Sequence, residues 1–324
     1  MIFLIFLINI TYKTIKVDGD LKDFSEDEKV LSDRYGDSFW GIQNEITDFF
    51  LTWDKNNLYI GAEYIVKNNA LLIIFDTGQK GVSDLDILNW YPRNLKLYGI
   101  EANYILALWD ADLSKGGFRK ISPSGSTSDL SSYTEIYNRG KSGEKSYIEA
   151  KIPFSLIFEN GFNTGSNLKI FLCIAGGDHS GSGDISPDNI DVDGIPPEYV
   201  RKFLKVNLDK NLDTKPDSNI FPIQNSEIVE SPFEKLELKE FKIDKNLTFI
   251  NESVNLTFSL SENSNINISL ITEDGKLFKK IFEGTLLKNE KREISFNINK
   301  PGIYILLLEV KGKLRKKEVI KVVE

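Results

Sequence analysis

From Lys16 onward the chain consists of short apolar runs broken by turn residues, and helical periodicity appears only briefly. Two such runs, Phe49–Trp53 and Leu58–Tyr64, flank a polar turn, which is the pattern of a β-hairpin. The runs Ala70–Phe75 and Tyr104–Trp109 are apolar enough to be strands that are buried on both faces of a sheet. Short strands separated by frequent turns predict an all-β sandwich fold.

Charge and composition divide the chain into two domains. Residues 209–232 are rich in Asp, Asn, Pro and Ser, and the strand pattern restarts beyond them. From Phe233 to Glu324 there are 17 Lys+Arg and 14 Asp+Glu, a net charge of +3, whereas the preceding 232 residues carry 23 and 34, a net charge of −11. We predict a large β-sandwich over residues 15–220, a linker over 221–232 and a smaller immunoglobulin-like β-sandwich over 233–324.

The same composition excludes several functions. A net charge of −8 argues against nucleic acid as a partner, because phosphate binding needs a basic surface. The single cysteine, Cys173, cannot form a disulfide within the chain. The single histidine, His179, rules out a multi-histidine metal centre, and its place in a glycine-rich segment indicates a loop hydrogen bond. We assign no catalytic residue.

The N-terminus is strongly apolar. Residues 1–10 read MIFLIFLINI, which is too short to cross a bilayer as a helix but has the length of a signal-peptide core. We interpret residues 1–14 as a truncated signal peptide, and a first β-strand is the alternative. This interpretation predicts a secreted or cell-surface protein without stable membrane insertion.

Several ordered motifs resemble those of family-nine carbohydrate-binding modules and their DOMON-like relatives. Val17–Phe24 resembles the opening motif of these modules and Ile148–Phe154 resembles their E-x-x-I-P-W/F signature, with Phe24 and Phe154 where Trp is commoner. Further matches are Trp53–Ile60, which is similar to the next hairpin, and Ala175–Asp178 with Asp184–Asn189, which are similar to a late loop. The resemblance spans about residues 16–220. It implies a jelly-roll-like or DOMON-like sandwich that binds an oligosaccharide or polysaccharide.

The C-terminal part resembles a different family. Asn267–Lys276 and Pro301–Tyr304 are similar to the immunoglobulin-like domain of flagellar hook-capping proteins and of secreted sorting domains. This resemblance implies an accessory sandwich that makes protein contacts and carries no catalysis.

Aromatic residues in polar turns are candidates for sugar binding, because flat side chains stack on the apolar faces of sugar rings. Trp40 lies in the polar segment from Gly36 to Glu45, and a second group lies between two predicted strands. The candidate carbohydrate-binding residues are Trp40, Trp90, Tyr91 and Arg93. A core position is the alternative for both tryptophans.

Two acidic runs have the alternating oxygen ligands of a calcium loop. They are Asn189-x-Asp191-x-Asp193-Gly194 and Asp209-x-Asn211-x-Asp213-x-x-x-Asp217. Ca²⁺ is a hard cation that takes six to eight oxygen ligands, so we predict a structural Ca²⁺ at one of these loops. The alternative is that both runs form Asx turns, in which the side-chain oxygens accept backbone amides.

These patterns favour a secreted, non-catalytic carbohydrate-binding protein that is an accessory to polysaccharide breakdown. The first alternative is a cell-envelope structural or adhesion protein that uses its β-sandwiches for protein contacts. A glycoside hydrolase is the second alternative, since 48 acidic residues offer many carboxylate pairs.

Overall fold

The computed structural model describes residues 12–189, 192–217, 222–231, 238–261, 264–273, 276–310 and 314–324. The chain divides into two compact units, Met1–Pro232 and Phe233–Glu324. Most of the segment interpreted as a signal peptide, residues 1–11, lies outside the described residues. No helix in the described part of the chain has the length and apolar character that a membrane span requires.

The first unit is built from strands joined by turns and loops. Its strands are β1 (Lys29–Ser32), β2 (Glu45–Trp53), β3 (Asn57–Ile65), β4 (Ala70–Asp76), β5 (Leu95–Leu97), β6 (Tyr104–Trp109), β7 (Asp112–Ile121), β8 (Thr127–Asp129), β9 (Glu135–Arg139), β10 (Lys145–Pro153), β11 (Asn167–Ala175), β12 (Ser182–Ser186), β13 (Glu198–Val200), β14 (Lys202–Asn207) and β15 (Ser226–Glu230). Its helical segments are short: 3-10 turns at Leu21–Asp23, Glu26–Glu28, Leu85–Ile87, Ser131–Tyr133 and Pro222–Asn225, and one α-helical turn, α1, at Phe154–Ile157.

Two antiparallel sheets enclose the main core of this unit. The first sheet has the order β1-β2-β3-β10-β9, and the second has the order β15-β14-β11-β4-β6-β7-β8, with β12 paired to β11. Side chains from both sheets meet in one apolar cluster, for example Leu51, Ile60, Leu106 and Ile170. The sequence prediction of an all-β sandwich is therefore confirmed.

The central strands of the second sheet are buried on both faces, as their sequences predict. In β4, Leu71 and Ile73 lie in the main core, whereas Leu72 and Ile74 belong to a second apolar cluster on the opposite face. Residues of the segments 82–102 and 192–200 complete this second cluster. Successive side chains of a strand point to opposite faces, so long loops must cover the outer face of this sheet.

Two of the motifs that carry the family resemblance meet in space. Glu149 of β10 accepts backbone hydrogen bonds from Asp18 (2.8 Å) and Gly19 (2.5 Å) through its Oε2 atom. Gly19 has a φ of +79°, and a Cβ atom there would lie 2.8 Å from the Tyr137 ring. The opening motif therefore holds the N-terminal segment against the first sheet, and glycine is required at this position.

The predicted linker over residues 221–232 is wrong for its described part, 222–231. Strand β15 pairs with β14 in antiparallel register from Lys202–Glu230 to Val206–Ser226, and Val229 packs against the second apolar cluster. The turn-rich composition suggested a linker, but the run Ser226–Glu230 covers the open edge of β14. This segment is an edge strand of the first unit.

The second unit also consists of antiparallel strands around one core. Its strands are β16 (Leu238–Ile243), β17 (Leu247–Phe249), β18 (Ser253–Leu260), β19 (Ser264–Thr272), β20 (Leu277–Leu286), β21 (Arg292–Asn297), β22 (Gly302–Val310) and β23 (Leu314–Val323). One sheet has the order β16-β18-β21 and the other has the order β17-β23-β22-β19-β20, in which β17 and β23 run parallel. Alternate residues such as Leu256, Phe258, Ile268 and Leu306 fill the core between them.

Removing β15 tests its place in the first unit. A fragment of residues 12–220 should melt about 4–8 °C below a fragment of residues 12–231, because it loses the β14 pairing and the apolar contacts of Val229. The measurement is thermal unfolding followed by circular dichroism. Equal melting temperatures would show that residues 221–231 behave as a linker.

Candidate functional site

Trp40 lies in the loop between β1 and β2, and this loop is fastened to β12. The Phe39 amide donates a hydrogen bond to the Gly183 carbonyl (2.8 Å), and the Ser38 hydroxyl donates to the same oxygen (3.1 Å). The indole ring of Trp40 packs directly on Gly183, where a Cβ atom would lie only 2.3 Å from the ring. The ring is partly buried, and Phe39 beside it is 64% exposed.

Glycines make the close approach of the Trp40 ring possible. A Cβ atom at Gly194 would lie 2.8 Å from the indole nitrogen, and one at Gly176 would lie 3.3 Å from the far edge of the ring. The indole is therefore surrounded by three backbone segments, each of which has a glycine where it contacts the ring. This is a fixed aromatic surface at the end of the sandwich, on loops that a rigid scaffold holds.

A cavity of about 220 Å³ opens beside this aromatic surface. Three carboxylates line it, those of Asp37, Asp184 and Asp188, together with Phe39 and Val192. Carboxylate oxygens accept hydrogen bonds from hydroxyl groups or bind cations. The cavity therefore combines an aromatic wall with oxygen ligands.

The carboxylates around this cavity carry perturbed pKa values. Burial, together with the negative charges of Glu45 and Asp37, raises the pKa of Asp184 to about 7. Burial also raises the pKa of Asp33 to about 8, with Asp184 and Asp188 contributing repulsion. Perturbed acidic groups in a cleft are typical of functional sites.

Three of these acids lie close enough to share one ligand. Carboxylate oxygens of Asp33, Asp37 and Asp188 all lie within 4.8 Å of one another. Sequence reasoning missed this group, because Asp188 lies far along the chain from the other two. The family-like motif Asp184–Asn189 pointed to the right loop, but no local spacing connected it to the segment after β1.

The other predicted sugar-binding residues form a separate aromatic and cationic group. The Arg119 guanidinium lies over the Trp90 ring, 4.3 Å from its centroid, and the Tyr91 ring packs against Trp90 at 4.5 Å. The Tyr91 hydroxyl donates a hydrogen bond to the Lys115 carbonyl (2.5 Å). Trp90 and Tyr91 therefore use their rings for contacts within the protein.

Arg93 is a buried positioning residue for the glycine-rich loop that follows β11. It is 1% exposed, and its Nη1 atom donates hydrogen bonds to the Pro92 carbonyl (2.7 Å) and to Asp178 (3.0 Å). His179 in the same loop is bonded to Asp86 (2.8 Å), as the predicted loop hydrogen bond requires. Since the Trp40 ring borders Gly176, both predicted groups contact the loop that follows β11.

The acidic side chains of the second predicted calcium loop bind backbone amides. Asp209 is buried and accepts three of them, including one from Gly165. Asn211, Asp213 and Asp217 each accept one amide from within the loop. This is the geometry of Asx turns, the alternative considered above, and calcium binding at this loop stays a prediction.

The first predicted calcium loop is arranged differently. Asn189 is buried, its amide nitrogen donates to the carbonyls of Pro187 and Lys202, and its oxygen accepts two backbone amides. Asp193 accepts the Ile195 amide, and Asp191 lies outside the described residues. Asn189 therefore fastens the loop to β14 with its full hydrogen-bonding capacity.

No protein-family model matches this sequence, and no curated protein matches it. Solved structures share only a distant likeness. They include the BSP domain of a biofilm associated protein (TM-score 0.22, 9% identity, 91% of this chain and 53% of that chain) and the D00-D0 domain of intimin (0.23, 12%, 59% and 78%). A glycosyl hydrolase family 2 member from Bacteroides cellulosilyticus is also similar (0.23, 9%, 51% and 24%). The chain spans about half of the biofilm protein chain and about a quarter of the hydrolase chain.

Replacing Gly183 tests the position of the Trp40 ring. In Gly183→Ala the new methyl group must push the indole off β12, so we expect a shifted tryptophan fluorescence spectrum and a loss of about 1–3 kcal/mol in the free energy of unfolding. Gly177→Ala is the matched control, because a Cβ atom there meets nothing within 4 Å. It should change stability by no more than about 0.5 kcal/mol. Identical behaviour of the two variants would contradict this placement of Trp40.

Proposed function

We propose that this chain is a non-catalytic carbohydrate-binding protein whose sugar site is the loop surface of Trp40 and Phe39. The observation that supports this proposal is the close packing of the Trp40 indole on Gly183. This contact with the backbone of β12 holds the ring in one position. A preformed ring binds a sugar face at low entropic cost, since its conformation is already fixed.

The polar partners that a sugar needs lie next to this surface. Asp37 and Asp188 are exposed, and both line the cavity beside Phe39. Sugar hydroxyls donate hydrogen bonds to carboxylates, while the apolar ring face stacks on the aromatic side chain. A site of this kind binds a sugar through one aromatic contact and a few oriented polar groups.

Trp90 is the weaker candidate of the two predicted tryptophans. The Arg119 guanidinium over its ring and the neighbouring Tyr91 ring compete for the surface that a sugar would need. In this proposal, Trp90, Tyr91 and Arg93 support the loop that borders Trp40, and they do not contact the sugar.

The resemblance to family-nine carbohydrate-binding modules supports the same proposal through motif residues. A secreted or cell-surface location is part of it, because polysaccharide ligands are extracellular and residues 1–10 have the composition of a signal-peptide core. The immunoglobulin-like second unit then serves as an accessory domain that makes protein contacts.

An adhesion protein of the cell envelope is the second candidate. The loop after β1 also exposes Tyr35 (57%) and Ile42 (56%), and Ile195 next to Gly194 is 70% exposed. Exposed apolar side chains on loops that contact each other favour protein contacts, and Gly194 lies against the Trp40 ring. The same loop surface would then bind a protein.

Glycan binding separates these functions. The full chain should bind an oligosaccharide on a glycan array, and Trp40→Ala should weaken that binding about tenfold, since stacking contributes about 0.5–1.5 kcal/mol beyond buried area. Isothermal titration calorimetry with the best array ligand measures the effect. Because Trp40→Ala also removes the packing of the indole on Gly183, its melting temperature should fall, and the affinities are compared at a temperature well below the melting transition of both proteins.

Trp90→Ala is the matched control, and it should keep its affinity for the sugar. Equal losses in both variants would show that the site includes Trp90, and no binding to any glycan would favour the adhesion protein. Release of sugars from a panel of glucans would support the glycoside hydrolase instead.

A further inference from the structure

We propose that the outer face of the larger sheet of the second unit docks a partner protein that presents an apolar surface bordered by carboxylates. We call this surface the docking face. Its apolar residues are Leu247, Ile271, Leu277, Ile303, Ile305 and Val319. The proposal rests on the part of the proposed function that gives this unit protein contacts, and it does not involve the sugar site of the first unit.

A continuous apolar row crosses four strands of this sheet. Leu277 of β20 pairs with Ile271 of β19, and Ile271 also pairs with Ile305 of β22. Ile305 in turn pairs with Val319 of β23, and residues paired across strands point to the same face. Ile320, the next residue of β23, is buried in the core. Because successive side chains of a strand point to opposite faces, the row lies on the outer face.

The side chains of this row and of the row beside it are open to solvent. Leu277 is 64% exposed and Val319 is 54% exposed. Ile303 of β22 and Leu247 of β17 both pair with Lys321, and they are 42% and 54% exposed. Single exposed apolar residues are ordinary on a protein surface, whereas residues that pair in register form one continuous patch.

The opposite sheet of the same unit has a polar outer face. Its strands β18 and β21 pair Ser253 with Asn297 and Asn255 with Ser295, and all four side chains are exposed. An antiparallel sheet with one face on the core and one face in water carries polar residues on the wet face. The smaller sheet follows this rule and the larger sheet does not, so the docking face has the character of a contact surface.

Lysines border the apolar row on β23. Lys317 and Lys321 are both exposed, and each lies two residues from Val319, about 7 Å along the strand. Neither forms an ion pair within the part of the chain that the structure describes. The whole unit, residues 233–324, has 17 Lys+Arg and 14 Asp+Glu, a net charge of +3. Unpaired lysines beside an apolar patch attract carboxylates on a partner and repel a basic partner.

Charge and area both argue against a second copy of this face as the occupant. Two such faces would bring the lysines of both copies into one interface. With strands about 4.8 Å apart and a rise of about 3.3 Å per residue, the patch covers about 400 Å², whereas a stable interface buries about 800 Å² on each partner. Recognition of anionic lipid takes clusters of about four to eight Lys or Arg, and Lys317 and Lys321 fall short of that. The face therefore suits a transient contact with an acidic protein.

A displayed library of random peptides tests the docking face on the full chain without any glycan, so failure here is distinct from failure of the carbohydrate proposal. Panning should enrich peptides that combine apolar residues with Asp or Glu. A synthetic copy of the commonest enriched peptide should bind the full chain in a fluorescence anisotropy titration. Binding should weaken as the salt concentration rises, because salt screens the attraction between exposed charges.

Three variants locate the contact. Val319→Asp puts a carboxylate into the apolar row and should weaken peptide binding about tenfold. Lys321→Glu leaves the row intact and should also weaken binding, because it reverses a charge that attracts the peptide. The matched control Ser295→Asp adds the same charge to the polar face and should bind like the parent. All three positions are exposed, so the melting temperatures should stay within a few degrees of the parent.

Three results would overturn the proposal. The first is that no peptide is enriched, or that binding of the enriched peptide survives both Val319→Asp and Lys321→Glu. The second is a chain that sediments as a dimer and becomes a monomer in Val319→Asp, which would make a second copy the occupant. The third is binding to vesicles of phosphatidylcholine and phosphatidylserine that is lost in Val319→Asp, which would make a lipid surface the occupant.

Discussion

The burial of one sheet on both of its faces is the constraint on which the rest of the first unit depends. In β4, β6 and β11 the alternate side chains fill two apolar clusters, one between the sheets and one outside them. The outer cluster needs a cover, and the long segments before β6 and after β12 provide it. These segments carry their own apolar residues, such as Leu85 and Val200, which complete the outer cluster.

This arrangement explains why the candidate site combines features that are distant in sequence. The loop after β1 crosses to β12 because Gly183 leaves room for the Trp40 indole. That crossing brings Asp33 and Asp37 to Asp188, and the resulting repulsion is an energetic cost of the close approach. Aromatic surface and acidic cavity are thus two consequences of one packing contact.

The motifs behind the family resemblance have identifiable structural roles in this chain. Glu149 accepts the amides of Asp18 and Gly19, so two of the motifs hold the N-terminal segment against a sheet. Arg93 likewise holds a loop through Asp178. Such residues can identify an architecture without contacting any ligand, so the proposed sugar site would depend on exposed residues such as Phe39, which no motif includes.

Local patterns in the sequence determined the all-β class, the doubly buried strands β4 and β6, and the candidate Trp40, because strand alternation and turn chemistry act over a few residues. They could not show that β15 is an edge strand, since Asp, Pro and Asn residues around it also suit a linker.

Only the tertiary structure decided which carboxylates converge. In the Asp209–Asp217 loop, the side-chain oxygens at alternate positions accept hydrogen bonds from amides of the loop itself and from the nearby Gly165 amide. Asp33, Asp37 and Asp188 lie close together instead, because strand pairing and loop packing bring distant segments into contact. Convergence of this kind depends on long-range contacts, and spacing along the chain does not encode it.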